Sequence, residues 1–322
     1  GAAGLLLALN GRIAGICGSG AGLLGPAAAG ERAWRLMFLL GLVYVAFIAV
    51  LIWVGLSAVL ILVIAAAFLL LQLFFSDKLA LAAMRARITA PEEYPELHAM
   101  VERLCQLSDL PKPRIAVADT DMPNAFAAGR SQKAAVVCVT TGILTRLEPR
   151  ELEGVLAHEL SHIANRDVMV MTVASFLATV AGLVIRFGVY SGMWGGRGRD
   201  NNTAAVFFVV ILVSVDDYSL SFVLLRALSR YREYAADRGA AIMTGAPSQL
   251  ASALTKISGA MARIPTKDLR AAEGMNAFFI LPAVAKGFSL TSLFATHPPT
   301  ERRIERLMAM QAKIDSGARE AL

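Results

Sequence analysis

The amino-acid sequence predicts a mainly α-helical, polytopic membrane protein that carries one α+β domain with a small β-sheet. Three observations predict this class. Hydrophobic residues make up 56% of the 322 residues, and the mean hydropathy is +0.58. Charged residues make up 17%, against roughly 25% in ordinary soluble domains. Strand-like runs are confined to a short stretch between residues 114 and 140.

The N-terminal part combines an extension with a predicted membrane hairpin. Residues 1–30 are rich in Gly and Ala, and because glycine weakens helices we assign them neither a span nor a function. Residues 31–90 are predicted as a transmembrane hairpin followed by a juxtamembrane helix. Leu36–Phe75 carries no charge, and one helix of that length would measure about 60 Å, roughly twice the hydrocarbon thickness. Two spans joined by a turn near residues 54–57 match the hydrocarbon thickness better than one helix does.

Basic residues set the expected orientation of this hairpin. Arg32 and Arg35 precede it, Lys78 follows it, and its turn has no basic residue. Both ends should therefore face the cytoplasm. The lipid bilayer is then one partner of the chain. Nucleic acid is not expected, because the net charge of +6 is spread along the chain without a basic run.

Residues 91–166 are predicted to contain helices around a small sheet. A helix is expected to open at Pro91. Strands are predicted at 114–118, 124–128 and 134–140, because short β-branched and small apolar runs there are bounded by turn residues. A hairpin turn is predicted at 129–132. The last element is a helix over Glu151–Arg166, with an apolar stripe of helical period.

The helix over Glu151–Arg166 carries the most informative motif, His158-Glu159-x-x-His162. Side chains four residues apart project from one helix face. Two imidazoles at that spacing bind one Zn²⁺ ion, and the glutamate beside them serves as a general base toward water. The motif therefore points to peptide-bond hydrolysis.

A second pair of apolar segments occupies residues 167–228. Residues 168–190 form the first, and residues 204–225 form the second, which is interrupted by Asp216 and Asp217. Ionisable residues at bilayer depth are costly, so whether both segments span is left open. Residues 229–322 return to a polar, helical pattern and are predicted to complete the domain begun by residues 91–166.

Zinc in a catalytic site usually has three protein ligands, and the third could come from Glu233 or His297. Glu233 and Asp237 share one helix face. Glu233 would bind the metal, and Asp237 would accept a hydrogen bond from the far nitrogen of a ligand histidine. The alternative is a solvated helix face whose carboxylates pair with nearby arginines.

The motifs together resemble the HtpX-type membrane zinc metalloproteases, which are relatives of the CAAX prenyl proteases. The resemblance covers roughly residues 32–308 and four motifs in the family's order: Pro123–Gly129, His158–His162, Arg232–Asp237 and Thr296–Arg303. It implies a zincin-like α+β catalytic domain that binds one Zn²⁺ ion per chain. By this resemblance His158, His162 and Glu233 are the ligands and Glu159 is the catalytic base.

The resemblance also implies a function and a location. The function is cleavage of misfolded or damaged membrane proteins on the cytoplasmic side of the bacterial inner (plasma) membrane, with polypeptides as substrates. One rival is a CAAX-type processing protease that acts on a defined peptide. Another is a non-catalytic zinc-binding scaffold, although a structural site needs a fourth ligand and no base beside it.

Three further residues are weaker candidates for the site. Asn124 and Ala125 precede the strongest strand, and a sheet edge there would pair with an extended substrate. His297 would donate to the oxyanion of the reaction intermediate, or simply start a helix with the prolines that follow it. Cys17, Cys105 and Cys138 form no C-x-x-C pair and are expected to be free thiols.

Overall fold

Helices surround a small mixed β-sheet, which confirms the predicted α+β character. The computed structural model describes residues 58–178, 180–181, 203–263 and 298–317. Residues 167–178 are also helical. The helices are α1 Ala58–Met84, α2 Pro95–Leu107, α3 Thr141–Leu144, α4 Pro149–Ala164, α5 Thr203–Thr244, α6 Pro247–Met261 and α7 Thr300–Asp315, and the strands are β1 Arg87–Ile88, β2 Arg114–Ala118, β3 Ala125–Ala128 and β4 Val136–Thr140.

The sheet has the order β1-β2-β4-β3. Strands β2 and β4 are parallel, whereas β1 and β3 run antiparallel to their neighbours. The three predicted strands are confirmed, and residues 132–134 between β3 and β4 form a 3₁₀ turn. Strand β4 is buried along its whole length, while β3 lies at one edge of the sheet.

The juxtamembrane helix that is predicted to end the segment 31–90 is wrong in its last part. Helix α1 ends at Met84, because Arg85 adopts a left-handed backbone conformation with φ of 52°. The chain then forms β1, in which Ile88 pairs with Ala116 of β2. The next helix begins at Pro95 rather than at Pro91, since residues 91–93 form a turn.

The two faces of the sheet pack against different helices. Ile115, Val117 and Val137 join the main core with α2, α4 and α6. The opposite face packs against the end of α1, where Ala80 and Phe126 are buried together. This alternation follows from the two-residue period of strands, and it places the sheet between α1 and the helices of the site.

An ion pair and a buried thiol mark the interface between α1 and the sheet. Asp77 of α1 accepts a hydrogen bond of 2.6 Å from Arg114 of β2. Cys138 and Cys105 are free, as predicted, and both are buried, while Cys17 lies outside the described residues. Burial raises the pKa of the Cys138 thiol to about 12, so this thiol is an apolar packing group.

Helix α5 runs without a break over 42 residues, Thr203–Thr244. It joins the predicted apolar segment 204–225 to Glu233, and the predicted domain boundary at 228/229 lies inside it. The predicted first hairpin lies largely outside the described residues. Within the described residues, none of the helices combines the length and the hydropathy that crossing a membrane requires.

Candidate metal centre

Local sequence defines the helix that carries the H-E-x-x-H motif. Pro149 occupies the first helical position of α4, where its missing N–H costs nothing. The carboxylate of Glu151 accepts a hydrogen bond from the N–H of Glu148 at 2.9 Å, which caps the helix start. Helix α4 therefore covers 149–164, close to the predicted 151–166.

The structure brings His158, His162 and Glu233 together. The Nε2 atoms of the two histidines lie 3.2 Å apart. Each Nε2 atom lies 3.7 Å from a carboxylate oxygen of Glu233. Glu233 is only 7% exposed, so the alternative of a solvated helix face is wrong. These three side chains form a group that could hold one metal ion.

The far nitrogens of both histidines face carboxylates. His158 Nδ1 lies 3.0 Å from Asp237, as predicted, and His162 Nδ1 lies 2.5 Å from Asp167. With the proton on each Nδ1 atom, both Nε2 atoms would present lone pairs to each other. Two lone pairs at this distance repel unless a cation lies between them. Tetrahedral zinc holds two imidazole nitrogens roughly 3.3 Å apart, so these residues fit a zinc ion.

Glu159 is buried beside this group. Burial raises the pKa of its carboxyl to about 7, and the nearby Glu233 carboxylate adds to the rise, whereas His162 opposes it. The backbone N–H of Ala127 in β3 donates a hydrogen bond to the Glu159 carboxylate. The carboxyl group thus lies between the candidate metal ligands and the edge of the sheet.

Arg303 of α7 is a site residue that the sequence reasoning missed. Its guanidinium donates two hydrogen bonds to Asp237, at 2.7 and 2.9 Å, and lies 3.3 Å from Glu233. Burial alone would raise the pKa of the Asp237 carboxyl, but Arg303 and His158 together hold it below its usual value. Arg303 therefore keeps Asp237 ionised and oriented toward His158.

Asp167 is a second site residue that the sequence reasoning missed. It lies just beyond the end of α4, after Arg166, whose left-handed φ of 55° turns the chain back toward His162. The guanidinium of Arg232, the residue immediately before Glu233, lies 2.7 Å from the carboxylate of Asp167. The spacing of five residues from His162 is not a helical one, so only the turn brings the two side chains together.

The predicted substrate-binding residues lie at the sheet edge above the metal group. The amide of Thr140 donates to the carbonyl of Asn124 at 3.0 Å. Because antiparallel pairs alternate, the backbone groups of Ala125 and Ala127 point away from β4. The N–H of Ala127 binds the Glu159 carboxylate, and Ala125 lies at the edge. Asn124 is fully buried and bound to Thr140, so its backbone supports the edge. His297 lies outside the described residues.

Comparison with known proteins agrees with this geometry. Residues 91–311 match the model of peptidase family M48. A protease HtpX homolog of Streptomyces coelicolor is 59% identical over 271 residues, covering 84% of this chain and 89% of the relative. A protease HtpX homolog of Moorella thermoacetica is 52% identical over 298 residues, covering 92% of this chain and 97% of the relative.

A solved structure also shares the fold. The crystal structure of S. mikatae Ste24p superposes with a TM-score of 0.56 at 18% sequence identity. The match covers 83% of this chain and 62% of that chain, so this chain spans less than two thirds of Ste24p. The family match, the identities to the HtpX relatives and the shared fold lead to one conclusion: the chain belongs to peptidase family M48 and is a metalloprotease.

Proposed function

We propose that this metalloprotease is a zinc-dependent endopeptidase, with His158, His162 and Glu233 as zinc ligands and Glu159 as the general base. The observation that carries the proposal is the convergence of three donor groups from α4 and α5 around one point. The buried carboxyl of Glu159 beside them supports the catalytic role. Three protein ligands leave one vertex for water or substrate.

Each side chain of the site has its own role in the proposed reaction. Zinc supplies Lewis acidity, which lowers the pKa of water and polarises the scissile carbonyl. Glu159 takes the proton from the attacking water and later passes it to the leaving amine. Asp237 and Asp167 hold the ligand imidazoles in the tautomer that presents Nε2. In this proposal the free edge at Ala125 binds an extended substrate, Asn124 supports that edge, and His297 donates to the oxyanion.

We further propose that the enzyme acts on misfolded or damaged membrane proteins at the cytoplasmic side of the bacterial plasma membrane. The uncharged run Leu36–Phe75 and the basic residues at its ends support a multi-pass protein in this orientation. The names of the HtpX relatives support the same class of protease. This role is protein quality control.

Processing of a defined CAAX-type peptide is the second candidate function, because the sequence motifs resemble a family related to the CAAX prenyl proteases. The zinc chemistry is the same in both cases. A non-catalytic zinc scaffold is disfavoured, because Glu159 is buried within the site and its pKa is raised to about 7. A structural site gains nothing from such a group.

The Glu159→Gln variant tests the assigned mechanism. We expect proteolysis of casein to fall by roughly 10²- to 10⁴-fold, the usual contribution of a general base. Zinc should stay bound, because the three ligands remain. The matched control is Glu153→Gln on the same helix, whose partner Arg103 is largely exposed; it should cleave casein at the parent rate. A Glu159→Gln protein as active as the parent would refute the mechanism.

A further inference from the structure

A small cleft lies beside the metal group, between β3 and the end of α4. Its volume is about 20 Å³, and His162 lines it. The small residues Ala127, Ala128 and Gly129 are part of its lining. A space of this size holds about one water molecule, so a substrate side chain that enters it must be small.

Two exposed arginines, Arg130 and Arg166, line the outer part of the same cleft. Within the described part of the chain, neither has a carboxylate at ion-pair distance. Asp167, the one acidic residue in the lining, is already bound to His162 and Arg232. The cleft therefore presents two uncompensated positive charges close to the metal group.

Backbone constraints fix the points at which both arginine side chains leave the chain. Gly129 precedes Arg130 with φ of 128°, and a Cβ atom there would lie 2.7 Å from the carbonyl oxygen of Ala134. The hairpin therefore requires glycine at this position. Arg166 itself has a left-handed φ of 55°, and its N–H donates a hydrogen bond to the carbonyl of Ile163.

A second, apolar groove meets the cleft at Arg130. It has a volume of about 420 Å³ and follows α1, with Leu70, Leu71 and Phe74 in its lining. The guanidinium of Arg130 lies 4.8 Å above the ring of Phe74, and this stacking leaves its N–H groups available for a carboxylate. The acidic residue of this groove, Asp77, is bound to Arg114.

We propose that the two cavities form one substrate path that selects an acidic residue. Apolar substrate side chains lie along α1, an acidic side chain binds Arg130 and Arg166, and a small side chain enters the cleft beside His162. The occupant is thus a substrate segment in which an acidic residue separates an apolar stretch from the scissile bond. This inference rests on the proposed protease function. Continuity with the cleft at His162 favours substrate over lipid headgroups as the partner of these arginines.

Peptide binding to the full-length, zinc-loaded Glu159→Gln protein in detergent tests this inference without turnover. Two labelled peptides share an apolar stretch and a small residue, and they differ only in Glu or Lys between them. We expect the Glu peptide to bind about tenfold more tightly, which is about 1.4 kcal/mol. High salt should reduce the ratio of dissociation constants, since the arginines are exposed.

Charge reversal supplies the decisive variant. Arg130→Glu combined with Arg166→Glu should reverse the preference, so that the Lys peptide binds more tightly. The matched control, Lys133→Gln, alters an exposed charge of the same hairpin outside both cavities and should keep the original ratio.

Two results would overturn the inference. The first is equal binding of the Glu and Lys peptides, or no binding of either. The second is an unchanged ratio in the charge-reversed variant. If that variant also loses binding to vesicles of anionic lipid, the arginines are assigned to lipid headgroups instead. Failure of the parent to cleave casein would instead refute the protease function. The peptide measurement does not depend on cleavage, so it tests the role of the arginines independently.

Discussion

Arg303 shows how a single buried side chain organises the candidate metal centre. It is fully buried and contacts Asp237 and Glu233 from α7, an element remote in sequence from both histidines. Burial alone would lower the pKa of its guanidinium, but the Asp237 and Glu233 carboxylates raise it well above its usual value. The arginine therefore stays charged and neutralises a carboxylate pair that would otherwise repel in a buried site.

Replacing Arg303 should destabilise the protein strongly. Arg303→Met leaves Asp237 buried without its cation, which costs roughly 3–5 kcal/mol for a broken buried ion pair. We expect a lower Tm in detergent and weaker zinc retention against a chelator. Arg302→Met alters an exposed neighbour and should leave both quantities unchanged. Equal Tm values for parent and Arg303→Met would contradict the assigned role.

At the scale of elements, the contact between α4 and α5 determines where Glu233, the proposed third ligand, lies. Gly239 of α5 packs against Ser161 of α4, and a Cβ atom on Gly239 would lie 2.4 Å from the Ser161 hydroxyl oxygen. This close approach brings the two helices together one to two turns from Glu233. The glycine therefore serves helix packing rather than backbone flexibility.

The Gly239→Ala substitution tests this packing. Within a helix the change ordinarily stabilises by about 1 kcal/mol, but here it should separate α5 from α4 and weaken zinc binding. Competition with a chelator measures the loss of zinc affinity. Adding Ser161→Gly removes the clash and should restore affinity in the double variant. If Gly239→Ala alone binds zinc as tightly as the parent, the helix contact does not position Glu233.

The first turn of α4 is bound to α6 by hydrogen bonds whose strength depends on pH. Glu151 is buried and accepts hydrogen bonds from Ser252 at 2.6 Å and Lys256 at 2.8 Å. Burial alone would raise the pKa of Glu151, but these donors outweigh it and lower the pKa below the ordinary 4.5. The contact therefore contributes stability above pH 4.5 that is lost as the pH falls through the lowered pKa.

Glu151→Gln should remove this pH-dependent contribution. We expect the variant to be less stable than the parent at pH 7 by roughly 1–3 kcal/mol, since hydrogen bonds to a charged group are replaced by neutral ones. The difference should shrink as the pH falls below 4.5. Thermal unfolding at a series of pH values measures it. A difference that does not change with pH would show that the charge of Glu151 is irrelevant.

At the scale of the whole molecule, features with a local pattern could be predicted from the sequence. Strands β2 to β4 follow apolar runs, and α4 follows a helical period with a capping signal. The convergence of Glu233 with the histidines was predicted because the resemblance to a protease family gave extra weight to one carboxylate. Without it, charge spacing alone favours a solvated helix face.

Features that depend on contacts between remote segments could not be predicted. Strand β1 has two residues and exists only because the chain reverses at Arg85 and meets β2. Asp167 reaches His162 through the turn at Arg166. Arg303 has the sequence pattern of a surface charge in a polar helix, and it is buried where α7 packs against α5 and α6.

Metal content by elemental analysis tests the central claim most directly. We predict one zinc ion per chain in the parent protein and in Asp216→Ala, which removes an exposed carboxylate from the same helix as Glu233. Zinc should be lost from Glu233→Ala, because two imidazoles alone retain the ion poorly. Stoichiometric zinc in Glu233→Ala, or none in the parent after purification without chelators, would contradict the account.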